Sequence, residues 1–479
     1  MPYQPVLTPE TCYKGLFDVK FSMVNLDLSS VEQKIAQKQA PFSSIIKCNL
    51  GNPQGVGQKP VTYLRQMVAG FACPDLIGKY VLPTDVELRV KHILNSCSGK
   101  SSGSYQATAG IPAVVDDVAA YISDRDEIPC NPATVCMANG ATEAIMTLLR
   151  PIIRNETDAI LCPRPGFPLY ASTIVYYGGK EVSYDLDESN EWALTQEALD
   201  AALQQCKDEG LTPRCLVLIN PNNPTGSTLT ESDIKNALRF AYKNDMMVMS
   251  DEVYQTNIYE PEEFPFLSAR KLLYALNAEG ECQGLELISI HSASKSIFGE
   301  CGRRGGYWQA ENLNPKFMEQ IMDIISLGST NTDGMMAMDV IVNPPRPGEP
   351  SYWKFKRECD ALYTSLQRKA RMVSHEMNSW RGLSCCKPSG AMYVFPRIHA
   401  PPAAIEAARL AGKEPDQLYC QDLLDSVGVF TLDGGMFGQK PGTYHLRMTI
   451  LPSEEVMTDL LARWKVFHEG WMSKYSAEE

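Results

Sequence analysis

A chain of 479 residues, 44% hydrophobic and 21% charged, is long enough for two lobes with separate cores. Its formal net charge of −13 disfavours nucleic acid and anionic lipid as partners. The 15 cysteines contain no C-x-x-C pair and the six histidines no ligand-spaced pair, so neither a disulfide framework nor a metal site is expected.

The opening residues, MPYQPVLTPE, pair no basic flank with an apolar run, and no stretch resembles a spanning helix. The closing SAEE is not a peroxisomal address. A cytoplasmic, membrane-free setting with reduced thiols is expected. The proline-rich beginning of the chain has little periodicity and suggests an arm plus a segment of a smaller lobe. A helix is predicted over Val114–Ile122. Strands at Thr134–Ala138, Asp158–Cys162, Arg214–Asn220, Met246–Ser250 and Leu285–Ile290 then alternate with helices at Ile145–Ile153, Pro168–Tyr177 and Glu231–Lys243. That alternation predicts an α/β lobe whose mainly parallel sheet is flanked by helices. NPPRPGEP breaks the pattern after Val342. A long helix from Tyr352 to Asn378, strands at Ala391–Phe395 and His445–Ile450, and a helix at Glu454–His468 predict a smaller α+β lobe. The expected division is 1–85 for arm and small-lobe segment, 86–345 for the large domain and 346–479 for the small domain.

Four segments carry chemistry, each at a strand end, where open α/β sheets place ligands. In Asn139–Thr142, Gly140 permits a tight turn, and the amides of Ala141 and Thr142 open a helix suited to an anion. Alone it is also an ordinary strand–helix turn. Asn220–Gly226, NPNNPTG, is a proline-stiffened loop in which Asn223 offers an amide donor. In Ser250–Tyr254, SDEVY, Asp251 ends an apolar strand, where a carboxylate needs a partner such as a protonated pyridine nitrogen. Tyr254 could donate to a phenolate oxygen, although a DEV string equally suits a helix cap. In Ser292–Gly306, SASKSIFGECGRRGG, Lys295 could form an imine with an aldehyde, while Ser292, Ser294 and a nearby arginine could hold a phosphate. A solvated Ser/Lys/Gly loop would read the same way. As an ordered set, the four supply an imine lysine, a ring-nitrogen carboxylate, oxygen-side donors and a phosphate cup.

With LGNPQGVGQKPVTYLRQ, SYQATAGIPAVVDDVAAYI, SGAMYVFPR and YHLRMTILP, these strings make the chain resemble the fold-type-I aminotransferases over about residues 40–470, nearest the alanine aminotransferase family. The resemblance implies pyridoxal 5'-phosphate (PLP) as cofactor. Lys295 would be the imine lysine and proton shuttle, and Asp251 the partner of the ring nitrogen. Asn223 and Tyr254 would hold the phenolic oxygen. Ala141, Thr142, Ser292, Ser294 and Arg304 would cradle the phosphate, with Phe167 stacked on the ring. Arg447 would clamp the substrate carboxylate, and Gly51 would line the substrate side. A homodimer is implied, with Tyr105 reaching the phosphate of the other subunit. The implied reaction is ping-pong transfer of an amino group from L-alanine to 2-oxoglutarate, giving pyruvate and L-glutamate.

The chain departs from the family pattern in three places. Ser296 stands where glycine is expected, and Arg303 stands where an aromatic precedes the phosphate arginine, so Arg303 and Arg304 compete for that role. GSTNTDG (Gly328–Gly334) and TLDGGMFG replace apolar or proline-containing strings. An aromatic or glyoxylate-type aminotransferase and a PLP lyase or synthase on the same fold remain alternatives.

Overall fold

The computed structural model describes Val19 and residues 28–476. The expectations placed on the opening decapeptide and on the final three residues lie outside the described residues. The first described elements are a helix, Leu28–Ala36, and the two-residue strand β1, Ile46–Lys47.

Strands β2 (Val135–Ala138), β3 (Asp158–Arg164), β4 (Lys180–Asp185), β5 (Thr212–Ile219), β6 (Met247–Asp251), β7 (Leu287–Ser292) and β8 (Gly306–Glu311) form one sheet in the order β2-β8-β7-β6-β5-β3-β4. Pairings are parallel except on both sides of β8. Apolar runs such as CLVLI in β5 are buried because helices cover both faces. β4 and β8 escape the sequence reading. β4, KEVSYD, is an edge strand with alternating burial, and β8 starts directly on the glycines that close the lysine segment.

The remaining strands are β9 (Leu383–Ser384), β10 (Tyr393–Val394), β11 (Arg397–Ile398), β12 (Val429–Phe430), β13 (Leu432–Asp433) and β14 (Leu446–Thr449). β14 lies between β10 and β13, and β1 pairs in parallel with β12. Val31 and Cys48 share a core with Leu366, Val373, Leu423 and Trp464, so the N-terminal segment does pack on the C-terminal part. The helix Thr62–Ala72 does not. Its Tyr63, Leu64 and Met67 are buried with residues of Thr84–Ser96, Pro112–Asp126 and Thr332–Val342. The expected division at 85–86 falls in the first turn of Thr84–Ser96. The long helix Tyr352–Met377 bridges both parts, with Cys359 in one core and Leu366 and Val373 in the other. The last helix extends to Ser476, beyond the expected His468, because Trp471 remains buried. Among the described residues, no helix is long and apolar enough to cross a membrane.

Candidate active site

The C-terminal ends of parallel strands all meet one edge of the sheet. β2 therefore leads into the helix Ala141–Ile152, β5 into Asn220–Gly226, β6 ends on Asp251, and β7 leads to Lys295. These ends surround a cavity of about 320 Å³, closed on the other side by Leu50, Gly51, Tyr393 and Arg447. Ala141, Thr142, Phe167, Asn223, Asp251, Tyr254, Ser292, Ser294, Lys295, Arg304, Arg447 and Gly51 all line it. Tyr105 does not; it is 85% exposed on the surface of the single chain. A neighbouring cavity of about 580 Å³ shares Phe167 and Ile219 but contains neither the lysine nor Asp251.

Asp251 is almost fully buried and, among the described residues, has no ion pair. The Tyr170 hydroxyl donates to its Oδ2 at 3.1 Å, and the Val253 amide approaches Oδ1 at 3.4 Å. Burial outweighs these bonds and raises its pKa to about 6. Such a carboxylate calls for a cationic partner. Lys295 Nζ donates to the Gly51 carbonyl at 3.1 Å. A Cβ on Gly51 would collide with the Tyr393 hydroxyl and come within 3.1 Å of Lys295 Nζ, so this wall admits only glycine.

Gly140 precedes the first residue of the helix Ala141–Ile152, which no side chain among the described residues caps, and its φ of 82° suits glycine. A Cβ there would lie 2.6 Å from Arg304 Nη2. Arg304 Nη1 reaches Ser294 Oγ at 3.5 Å, and Ser292 Oγ donates to Ser294 Oγ at 3.0 Å. Two hydroxyls, a guanidinium and a helix start thus converge as a phosphate would require. Arg303 points elsewhere, toward Glu300 at 3.5 Å and Asp333 at 3.8 Å, and does not line this cavity. The geometry therefore favours Arg304 of the two arginines.

Arg447, on β14, is buried, and burial lowers its pKa. Its Nη1 donates to Asn223 Oδ1 at 3.0 Å and its Nη2 to the Asn49 carbonyl, while Nε is buried and, among the described residues, has no partner. The guanidinium lies between the rings of Tyr393, at 4.3 Å, and Phe437, at 4.5 Å. A buried guanidinium with a spare donor suits a carboxylate.

Tyr393, Tyr170 and Cys301 were not singled out from the sequence. The Tyr254 hydroxyl donates to the Tyr393 hydroxyl at 3.2 Å. Burial holds Tyr254 well above the usual phenol range, whereas Lys295 and Arg447 outweigh burial at Tyr393 and leave it the more acidic of the two. Cys301 Sγ sits 2.9 Å from the Ser294 carbonyl. Tyr393 lies in SGAMYVFPR, one of the strings that carry the resemblance, and Tyr170 lies three residues after Phe167; those positions were their only signals. Ser296 adopts a φ of 57°, the conformation that explains the expected glycine, and its Oγ accepts from the Phe298 amide at 3.1 Å.

Comparison with known proteins agrees with this geometry. The family described as aminotransferase class I and II matches residues 78–463. Glutamate–glyoxylate aminotransferase 1 of Arabidopsis thaliana is 40% identical, over 92% of each chain. Alanine aminotransferase 2 of Panicum miliaceum is 40% identical, over 91% of each. The solved structure of alanine aminotransferase from Pyrococcus furiosus superposes with a TM-score of 0.75 at 21% identity, covering 96% of this chain and all of that one, which establishes the shared fold. With the lysine, the buried carboxylate and the anion cup on one cavity wall, the chain belongs to the class I and II aminotransferases and is a PLP-dependent transaminase of fold type I.

Proposed function

We propose that the chain transfers the amino group of L-alanine to 2-oxoglutarate, giving pyruvate and L-glutamate in a ping-pong cycle. The observation that carries this reading is a single cavity with Lys295, Asp251 and an anion cup on one side and Arg447 with its spare donor on the other. The cavity must hold both cofactor and substrate within about 320 Å³, which favours a small donor side chain. When bound, PLP supplies an aldehyde that condenses with amines and a cationic ring that takes up electrons.

The chain's own residues do the rest. Ser292, Ser294, Arg304 and the amides of Ala141 and Thr142 would hold the phosphate, and Phe167 would pack on the ring. Asp251 would keep the ring nitrogen protonated. Tyr254 and Asn223 would donate to the phenolic oxygen. Arg447 orients the substrate through its carboxylate, so that the Cα–H faces Lys295. The Lys295 amine would accept that proton and hold it within the same cavity for its return. Gly51 leaves room for this transfer.

The resemblance of the sequence to glutamate–glyoxylate aminotransferase 1 supports a second reading, with glyoxylate as acceptor. Turnover with L-alanine plus 2-oxoglutarate, set against L-glutamate plus glyoxylate, separates the two. Aspartate or phenylalanine as much the better donor would defeat both.

We propose further that the enzyme is a cytoplasmic homodimer in which exposed Tyr105 reaches the phosphate site of the partner. The packing of Thr62–Ala72 supports a large domain that starts near Val61, and the division of Tyr352–Met377 between two cores supports a small domain that starts within that helix.

A further inference from the structure

β14 carries Arg447, and the turn Gly434–Phe437 carries the ring that covers it. Both belong to the C-terminal part, whereas the cofactor wall belongs to the seven-stranded sheet. A chain of hydrogen bonds joins the two parts. His445, immediately before β14, places Nε2 3.1 Å from Glu188 Oε1 and Nδ1 3.0 Å from Gln439 Oε1. Gln439 donates from Nε2 to Asp416 Oδ2 at 2.7 Å, which fixes its amide orientation and leaves its oxygen to accept from His445. Both nitrogens of His445 therefore face acceptors. Gln439 Oε1 also accepts from the His445 amide at 2.8 Å, and the Gly435 amide donates to Asp416 Oδ2 at 3.1 Å.

Glu188 is the contribution of the large sheet. It follows β4 in a short turn capped by Asp187. Its other oxygen accepts from Arg397 Nη1 at 3.1 Å, so it grips the C-terminal part at two points. Burial opposes its charge, but the bonds from His445 and Arg397 hold its carboxyl below the usual range. The chain has no slack. A Cβ on Gly434 would collide with Gln439 Oε1 and lie 2.9 Å from His445 Cβ, and the His445 ring stacks on Phe395 at 4.7 Å. The Phe437 carbonyl also accepts from the Gly166 amide of the large lobe at 2.9 Å.

We propose that Glu188, acting through His445 and Gln439, is a positioning residue that holds both walls of the carboxylate clamp, Arg447 and Phe437, against the cofactor wall. It touches neither substrate nor cofactor. The proposal rests on the reading of Arg447 as the carboxylate clamp. Without Glu188, strand and turn drift together, so the substrate carboxylate is held less well, while Lys295 and the phosphate cup stay in place.

The test uses the holoenzyme with Glu188→Ala, Glu188→Gln and Arg447→Lys. It measures KM and kcat for both substrates, inhibition by propionate as a non-reacting carboxylate, and PLP affinity of the cofactor-free protein. Losing hydrogen bonds to a charged group should raise KM and the propionate inhibition constant about tenfold in Glu188→Ala. kcat, PLP affinity and melting temperature should stay close to wild type. Glu188→Gln, which can still accept from His445, should restore most of the loss. If Arg447→Lys raises KM but Glu188→Ala does not, the positioning role is overturned and the clamp reading stands. If Arg447→Lys leaves KM unchanged, the clamp reading falls and takes the proposal with it. A parallel loss of PLP affinity and melting temperature in Glu188→Ala would overturn the proposal in favour of general destabilisation.

Discussion

The buried carboxylate of Asp251 provides the sharpest test of how the site is wired. In the cofactor-free protein, burial lifts its pKa from 3.8 to about 6. A rise of that size is worth about 3 kcal/mol. It has a definite sign. The folded state binds the proton more readily than the unfolded state, so the favourable contribution is complete below pH 3.8 and is lost as pH rises through about 6. At pH 8 the cofactor-free protein carries an ionised carboxylate whose lost solvation the Tyr170 and Val253 bonds replace only in part, until a ring cation supplies the partner. Asp251→Asn removes both the cost and the partner. The cofactor-free variant should therefore match or exceed wild type in stability at pH 8, by up to about 3 kcal/mol, and lose that advantage near pH 4. PLP should then stabilise the variant less than wild type, and transamination should fall by several orders of magnitude as the ring loses its proton. Urea melts of the cofactor-free proteins at pH 4, 6 and 8, PLP titrations at pH 8 and single-turnover rates check the three parts. A rate loss below about tenfold, or equal stabilisation of both proteins by PLP at pH 8, would refute the pairing of Asp251 with the ring.

Three further outcomes follow from the same geometry. Lys295→Ala should fold and bind PLP without a covalent link, seen as loss of the imine absorbance, and should lose transamination; near-normal turnover would remove the lysine from its role. Ser296→Val should lower stability by about 1–2 kcal/mol because a β-branched residue resists a positive φ, whereas Ser296→Gly should be close to neutral, the relieved strain offsetting the lost Oγ bond; thermal melts decide this. Sedimentation at micromolar concentration should show a dimer, and mixed dimers of Tyr105→Phe and Lys295→Ala chains should bind PLP at the intact lysine more tightly than the Tyr105→Phe homodimer does.

The sequence by itself was enough to bring the residues of one cavity wall together. Ala141, Asn223, Asp251 and Lys295 each follow or end a strand of buried apolar residues, and parallel strands deliver their C-terminal ends to one edge whatever the details of packing. Four local patterns read along the chain were therefore already a statement about neighbours in space. On the opposite wall, Gly51 and Arg447 were reached only through the family resemblance, and Tyr393 only through the tertiary structure. Gly51 lies hundreds of residues before Tyr393 and Arg447, and the meeting of the three depends on β1 pairing with β12 and β10 with β14, which no local pattern encodes. The choice between Arg303 and Arg304 is equally non-local. The two share one composition context, but the short turn at Cys301–Arg303 and the positive φ of Arg304 send one guanidinium to Glu300 and the other to the cup. β8 was missed because its antiparallel place between β2 and β7 is a property of the sheet, and its own sequence, GYWQAE, carries little apolar pattern. Motifs whose chemistry needs only a strand end are legible in one dimension; contacts that depend on how two lobes close on each other exist only after long-range packing has fixed their register.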